Sequence, residues 1–266
     1  HLRLLGNNVA MLSAVGDDGD GEQVIAALSE LGIDTRRMHK LDGKHTAGYT
    51  AVLDDTGELA LGMMDAEVYD LLSIELLKDQ LANLQAWPWW LIDANLPATT
   101  ISWLADNKGR SKFCAATVSP SKGARFAPVL DKLDLLIANR AEAKVLTGIE
   151  INEIDQAKTA IDVLRSKGVC DLVITLGAKG VVSSSGDSTA FWHPLPTKVC
   201  DVNGAGDAFY SGFLSRFTKP GATMDDGVAE GLAMASLTAE TEGTTVWNLT
   251  QSAVDARAEH AFKKLI

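Results

Sequence analysis

From Ser73 to Leu176 the sequence alternates helix-patterned and strand-patterned segments, and that alternation leaves the chain few folds. Helix Ser73–Leu84 leads to strand Trp89–Ala94, and helix Thr99–Asn107 to strand Lys112–Val118. A short helix near Phe126–Lys132 leads to strand Asp134–Ala138, and helix Gln156–Ser166 to strand Leu172–Leu176. Gly109 and Gly168 supply helix stops. The strands are apolar throughout rather than on every second residue, the mark of strands buried on both faces. The expectation is an α/β fold, a mostly parallel central sheet covered by helices on both sides.

The flanks fit that plan. Val9–Val15 reads as a buried strand and Glu22–Leu31 as a helix stopped by Gly32. Thr46–Leu53 and Leu59–Met64, joined by turn residues Asp54–Gly57, read as a β-hairpin. Residues 45–65 thus stand outside the alternation. Val181–Ser185 and Ala190–Trp192 add antiparallel strands, and helices Ala205–Phe217, Met224–Thr241 and Gln251–Leu265 close the chain. With 266 residues, no repeat and no linker, residues 1–266 read as one domain. In such sheets ligands sit beyond the C-terminal strand ends. Asp93, Asn139 and Gly177 lie at three of those ends.

The run Asp201-Val202-Asn203-Gly204-Ala205-Gly206-Asp207 joins a small-residue turn to an amphipathic helix. Gly204, Ala205 and Gly206 leave their N–H groups unshielded, and the helix starting there aims its positive dipole end at the same spot. That makes an anion site suited to a phosphoryl group. Asp207, in the first turn, is placed to take a proton from an attacking hydroxyl. The alternative is a helix start with glycines for close packing and Asp207 as a cap.

The extended run, including Ser211-Gly212, resembles the C-terminal motif of the ribokinase-like (PfkB) family of small-molecule kinases. Three further segments agree in order. Asn139-Arg140-Ala141-Glu142 resembles the family's Asn-x-x-Glu, Thr175-Leu176-Gly177-Ala178-Lys179-Gly180 its Thr-Leu-Gly-x-x-Gly, and Val15-Gly16-Asp17-Asp18-Gly19-Asp20-Gly21 its Val-Gly-x-Asp-x-x-Gly. The resemblance implies a ribokinase-like three-layer sandwich with a small β lid, formed here by the hairpin, and in many members a dimer contact through that lid. It implies ATP and magnesium, with Asp207 as base, the Gly204–Gly206 amides as anion hole, and Asn139 and Glu142 holding magnesium largely through water. Thr175, Leu176, Gly177 and Gly180, with Asn139, would line the nucleotide channel. Asp201 and Asn203 match positions that bind a monovalent cation, potassium, in some relatives. Asp93, Asn95 and Asp65 are the candidate substrate contacts, at a strand end and beside the lid. Family members begin with a further strand and a Gly-Gly-x-x-x-Asn segment that grips the sugar. About 40 such residues, including the N-terminal strand, are expected before His1.

Within the family, Leu12–Gly16, Leu53–Glu58, Asp93-Ala94-Asn95 and Asn139–Ala143 look most like the pseudouridine kinases. The implied acceptor is the 5′-hydroxyl of that C-nucleoside. Ala116-Thr117, where such kinases usually carry Asp-Pro, departs from the pattern and keeps a ribokinase- or fructokinase-type sugar kinase as the alternative. A non-catalytic sugar-binding relative is a further one, and the intact Asp207 opposes it.

Charge and motifs exclude other classes. A net charge of −11 argues against nucleic-acid or anionic membrane surfaces. No P-loop or dinucleotide-binding fingerprint is present, and the histidines and three cysteines lack metal-ligand spacing. The cysteine usage and the lack of an apolar span fit a cytoplasmic setting.

Overall fold

The computed structural model describes residues 1–53, 59–117 and 119–266. The expected turn Asp54–Gly57, most of the Leu53–Glu58 resemblance, and Val118 lie outside the described residues. The chain opens with β1 (Ala10–Gly16), α1 (Gly19–Glu30), β2 (Asp34–Leu41), β3 (Gly48–Leu53) and β4 (Leu59–Asp65). Three short helices follow: α2 (Glu67–Asp70), α3 (Ile74–Leu77) and α4 (Leu81–Leu84). Then come β5 (Trp89–Asp93), α5 (Ala98–Asp106), β6 (Lys112–Ala116), α6 (Pro120–Gly123), β7 (Leu135–Asn139), α7 (Arg140–Thr147), α8 (Ile154–Ser166) and β8 (Asp171–Thr175). β9 (Val181–Ser185), β10 (Ser188–Trp192), α9 (Ala205–Phe217), α10 (Met224–Ala239), α11 (Gln251–Ala258) and β11 (Lys263–Leu265) complete the order.

The large sheet runs β11-β10-β9-β8-β7-β6-β5, parallel across β5 to β8 and antiparallel from β8 outward to β11. β1 and β2 pair in parallel as a separate sheet, and β3 pairs with β4 as the hairpin. Successive strand residues enter opposite cores, as the pleat requires. Leu136, Ala138, Leu172 and Ile174 pack with α5, α7 and α8, while Leu135, Ile137 and Val173 pack with α9, α10 and α11. This double burial explains the continuous apolar strands and gives the three layers.

Several expected elements change. Helix 73–84 breaks into α3, a tight 3₁₀ turn and α4. Residues 124–132 form 3₁₀ turns around Pro128 rather than an α-helix, because proline cannot donate to the helical ladder. The expected helix 251–265 stops at Ala258, and its last residues form the edge strand β11 against β10. β2 was not anticipated, since its charged sequence Asp34-Thr-Arg-Arg-Met-His-Lys-Leu hides its strand character; Asp34 is held by Arg36 and Arg37. α7 was likewise missed, although its capping residues are legible.

Candidate active site

The start of α9 is built by close packing. Gly204, the residue before the helix, sits at φ +76°, and a Cβ there would lie 2.8 Å from Thr244 Cβ and 2.9 Å from Thr244 O. A little further along, Gly212 lets α9 touch α10: a Cβ would stand 2.5 Å from Glu230 O. Gly206 differs, since a Cβ there would meet nothing within 4 Å. Ala205 N bonds Val202 O and Ala208 N bonds Gly204 O, but among the described residues no hydrogen bond reaches Gly206 N or Asp207 N. The first turn of a helix always leaves such donors over. Here two of them stand beside open space. Asp207 caps nothing; its side chain is exposed, and the protein packed around its carboxyl still desolvates it enough to raise it above the ordinary value.

Asn139 and Glu142 form a reciprocal capping box on α7. Asn139 Oδ1 accepts from Glu142 N at 3.0 Å, and Glu142 Oε2 accepts from Asn139 N at 2.8 Å. The Asn-x-x-Glu spacing therefore has a local structural reason, and Asn139 spends its side-chain oxygen on the helix. Glu142 is 4% exposed. Its Oε2 also accepts from Thr117 Oγ1 at 2.6 Å, while no hydrogen bond among the described residues reaches Oε1. The donor set suits magnesium held with water and phosphate, since Mg²⁺ keeps several waters and needs only one or two carboxylates beside the substrate phosphates. Among the described residues there is no cluster of three or more His, Cys, Asp or Glu side chains able to enclose an ion alone.

The glycines after β8 divide as those before α9 do. Thr175 ends the strand in register with Asn139, bringing the two motifs side by side. Gly177, at φ +63°, has nothing within 4 Å of its Cβ position. Gly180, at φ +109°, is required by packing, because a Cβ would sit 2.2 Å from Trp192 O. Leu176 is buried in the core, so only its backbone can face a ligand.

Asp93 and Asn95 close on each other. Asn95 N donates to Asp93 Oδ1 at 2.8 Å and Asn95 Nδ2 to Oδ2 at 2.9 Å. Lys122 Nζ donates to Asn95 Oδ1 at 2.6 Å, and Arg125 Nη1 holds the carbonyls of Ala94, Asn95 and Leu96. Tyr69 stands close enough to Asp93 for that charge, after burial, to push its phenol up. Asp65 ends β4 and accepts from Glu67 N at 3.3 Å, a turn role; no hydrogen bond among the described residues joins it to Asp93 or Asn95. Asp201 Oδ1 accepts from Asn203 N at 2.9 Å, curling the turn before α9. Sequence reasoning missed Thr117, Lys122, Arg125, Tyr69 and Tyr210, because their roles depend on contacts between separate segments.

The other matching motif is a socket for the hairpin. Asp18 caps α1 through Gly21 N and accepts from Thr46 N at 2.8 Å and Thr46 Oγ1 at 2.6 Å. These bonds hold its carboxyl down at about 2. Gly16 and Gly21 are small because the segment 44–46 lies against them: a Cβ on Gly16 would be 2.3 Å from Lys44 O.

The sequence matches the pfkB family of carbohydrate kinases over residues 1–251. The chain belongs to that family. It is a phosphotransferase with an alcohol group as acceptor. It is 28% identical over 216 residues to the pseudouridine kinase of Escherichia coli (strain K12), covering 81% of this chain and 69% of that one. A carbohydrate kinase from Agrobacterium tumefaciens superposes with a TM-score of 0.86 at 30% identity, over 100% of this chain and 85% of that one. The Arabidopsis thaliana ribokinase, complexed with ribose and ATP, superposes at 0.83 with 19% identity, over 97% of this chain and 84% of its own. The fold is accordingly ribokinase-like. No helix among the described residues is long and apolar enough to cross a membrane.

Proposed function

We propose that this pfkB kinase transfers the γ-phosphoryl group of ATP to the hydroxymethyl group of a nucleoside or sugar, with the 5′-hydroxyl of pseudouridine as preferred acceptor. The observation that carries the transfer is the pair of unpartnered amides, Gly206 N and Asp207 N, at the helix start that also bears the partly desolvated Asp207. Asp207 takes the proton from the acceptor hydroxyl. Of the expected Gly204–Gly206 amides, Ala205 N is already bonded to Val202 O, so the free amides of Gly206 and Asp207, with the helix dipole, face the charge that grows on the phosphoryl oxygens. Glu142 Oε1, next to Asn139, is the oxygen offered to magnesium, which when bound supplies charge screening of the phosphates. Thr175, Leu176 through its backbone, Gly177 and Gly180 line the nucleotide side. Asp201 and Asn203 are the candidate potassium position. The β3–β4 hairpin serves as the lid, and its exposed Tyr49, Leu61, Met63 and Met64 are the candidate dimer face.

Pseudouridine is supported by the similarity to the Escherichia coli enzyme, with Asp93 and Asn95 as the candidate base contacts once they exchange their mutual hydrogen bonds for ones to the acceptor. One observation favours a ribokinase- or fructokinase-type sugar kinase. Ala116, paired with Asp93 across β5 and β6, brings no carboxylate to the strand end where pseudouridine kinases usually have one. Turnover with pseudouridine, ribose and fructose side by side decides between them. Pseudouridine is expected to give the highest kcat/KM, by up to about 10⁴-fold if the pocket's polar groups go unpaired with a sugar. Faster turnover of ribose or fructose would replace the nucleoside reading with the sugar one.

A further inference from the structure

Asp207 and Glu142 stand on separate elements, α9 and α7, so their spacing is set by how each is tied to the strands between. Two hydroxyl side chains make such ties, one from past β6 to α7 and one from α9 to β7. Thr117 is fully buried just past the end of β6, and its Oγ1 donates to Glu142 Oε2 at 2.6 Å. With Asn139 N on the same oxygen, Oε2 is occupied from the protein side and Oε1 is left as the outward oxygen. Tyr210 lies one turn beyond Asp207 on α9, and its hydroxyl donates to Ile137 O at 2.5 Å. Ile137 is in register with Ala116, the residue before Thr117. Burial, with the nearby charges of Glu142 and Asp207, pushes the Tyr210 phenol far up, so it remains a donor throughout the working range. Thr117 and Tyr210 thus tie Glu142 and the helix carrying Asp207 to neighbouring strands, β6 and β7, at the same end of the sheet.

We propose that Thr117 is a positioning residue for the metal carboxylate, fixing which oxygen of Glu142 faces the phosphates, and that Tyr210 locks the base-bearing helix to the same strand ends. This rests on the reading of Glu142 as the magnesium carboxylate. The physical reason is rotational. A carboxylate held by two donors on one oxygen has one orientation, whereas a carboxylate held only by its own capping amide can turn. Valine keeps the shape of threonine at 117 but removes the donor, and serine keeps the donor but removes the methyl. Loss of such an outer contact typically weakens metal affinity by about 10- to 100-fold.

The test measures manganese binding by water-proton relaxation in the presence of a non-hydrolysable ATP analogue, alongside the magnesium dependence of turnover. Glu142→Gln is the reference variant, and thermal melting is recorded for each protein. Thr117→Val is expected to raise the manganese dissociation constant and the half-saturating magnesium about tenfold or more, with acceptor KM little changed. Thr117→Ser is expected to restore both to within about threefold, which a purely packing role for the threonine methyl would not allow. Tyr210→Phe is expected to lower kcat about tenfold, a loss of the size a small misplacement of the base can cause, while leaving manganese binding intact. If Glu142→Gln weakens manganese binding and Thr117→Val does not, the positioning role is wrong while the metal reading stands. If Glu142→Gln itself leaves manganese binding unchanged, the metal reading fails and the positioning role falls with it. Equal losses in Thr117→Val and Thr117→Ser would also overturn the proposal.

Discussion

Substituting Gly206 by alanine separates a structural glycine from a ligand-facing one. Gly206 is the second residue of α9, and a methyl there meets no protein atom within 4 Å. Folding should gain from it: alanine is preferred over glycine in a helix by about 0.5–1 kcal/mol. For a chain of this size that corresponds to a rise in Tm of about 1–4 °C. Catalysis should lose, because the methyl enters the space in which the two unpartnered amides would meet the phosphoryl group. Disabling one such donor typically costs about 10²–10³-fold in kcat. Gly204→Ala is the contrast. Its φ of +76° and the Thr244 atoms at 2.8 and 2.9 Å leave no room for a side chain. The left-handed backbone alone costs about 1–2 kcal/mol, so this variant should melt lower. The assays are thermal melting and steady-state turnover of the best acceptor. A Gly206→Ala protein that turns over within about threefold of the parent would refute the anion-hole geometry, since a kcat loss of at least about 10² is required by it.

Asp207→Asn is expected to lose about 10²–10⁴-fold in kcat with ATP binding kept, and near-normal turnover would remove the base assignment. Because desolvation raises the Asp207 carboxyl, the acid limb of kcat/KM should lie above the ordinary value of about 3.9. The same raised value means that ionising Asp207 destabilises the fold as pH climbs from the ordinary value through the raised one. The asparagine variant should therefore melt no lower than the parent at neutral pH, and a clear drop in its Tm would contradict this. For the hairpin, Thr46→Val should speed amide exchange in β3 and β4 without affecting β5 or β8, and bound acceptor should slow exchange there; uniform protection across all four would exclude a lid. Asp18, held down at about 2, keeps the socket charged above about pH 4, and the contribution is lost as pH falls from there toward about 2.

The sequence by itself determined the layers and the rim. Strands that are apolar at every position have to be covered on both faces, and Leu135 to Ala138 and Leu172 to Ile174 do send alternate residues into two cores. The four glycine- and acid-bearing motifs were legible because each is local: a helix start, a capping box or a tight turn is written in adjacent residues. Several properties were not local. The sequence made Gly204 and Gly206, or Gly177 and Gly180, look alike. Only the approach of Thr244 and of the Trp192 carbonyl distinguishes the packed glycine of each pair from the open one. The charged strand β2 and the edge strand β11 depend on partners found far along the chain or on salt bridges that a hydrophobic pattern does not record. Thr117 and Tyr210 carry no signal as single residues. Their meaning comes from β6, β7, α7 and α9 ending at one place, where a hydroxyl from one element can satisfy a carboxylate or carbonyl of another.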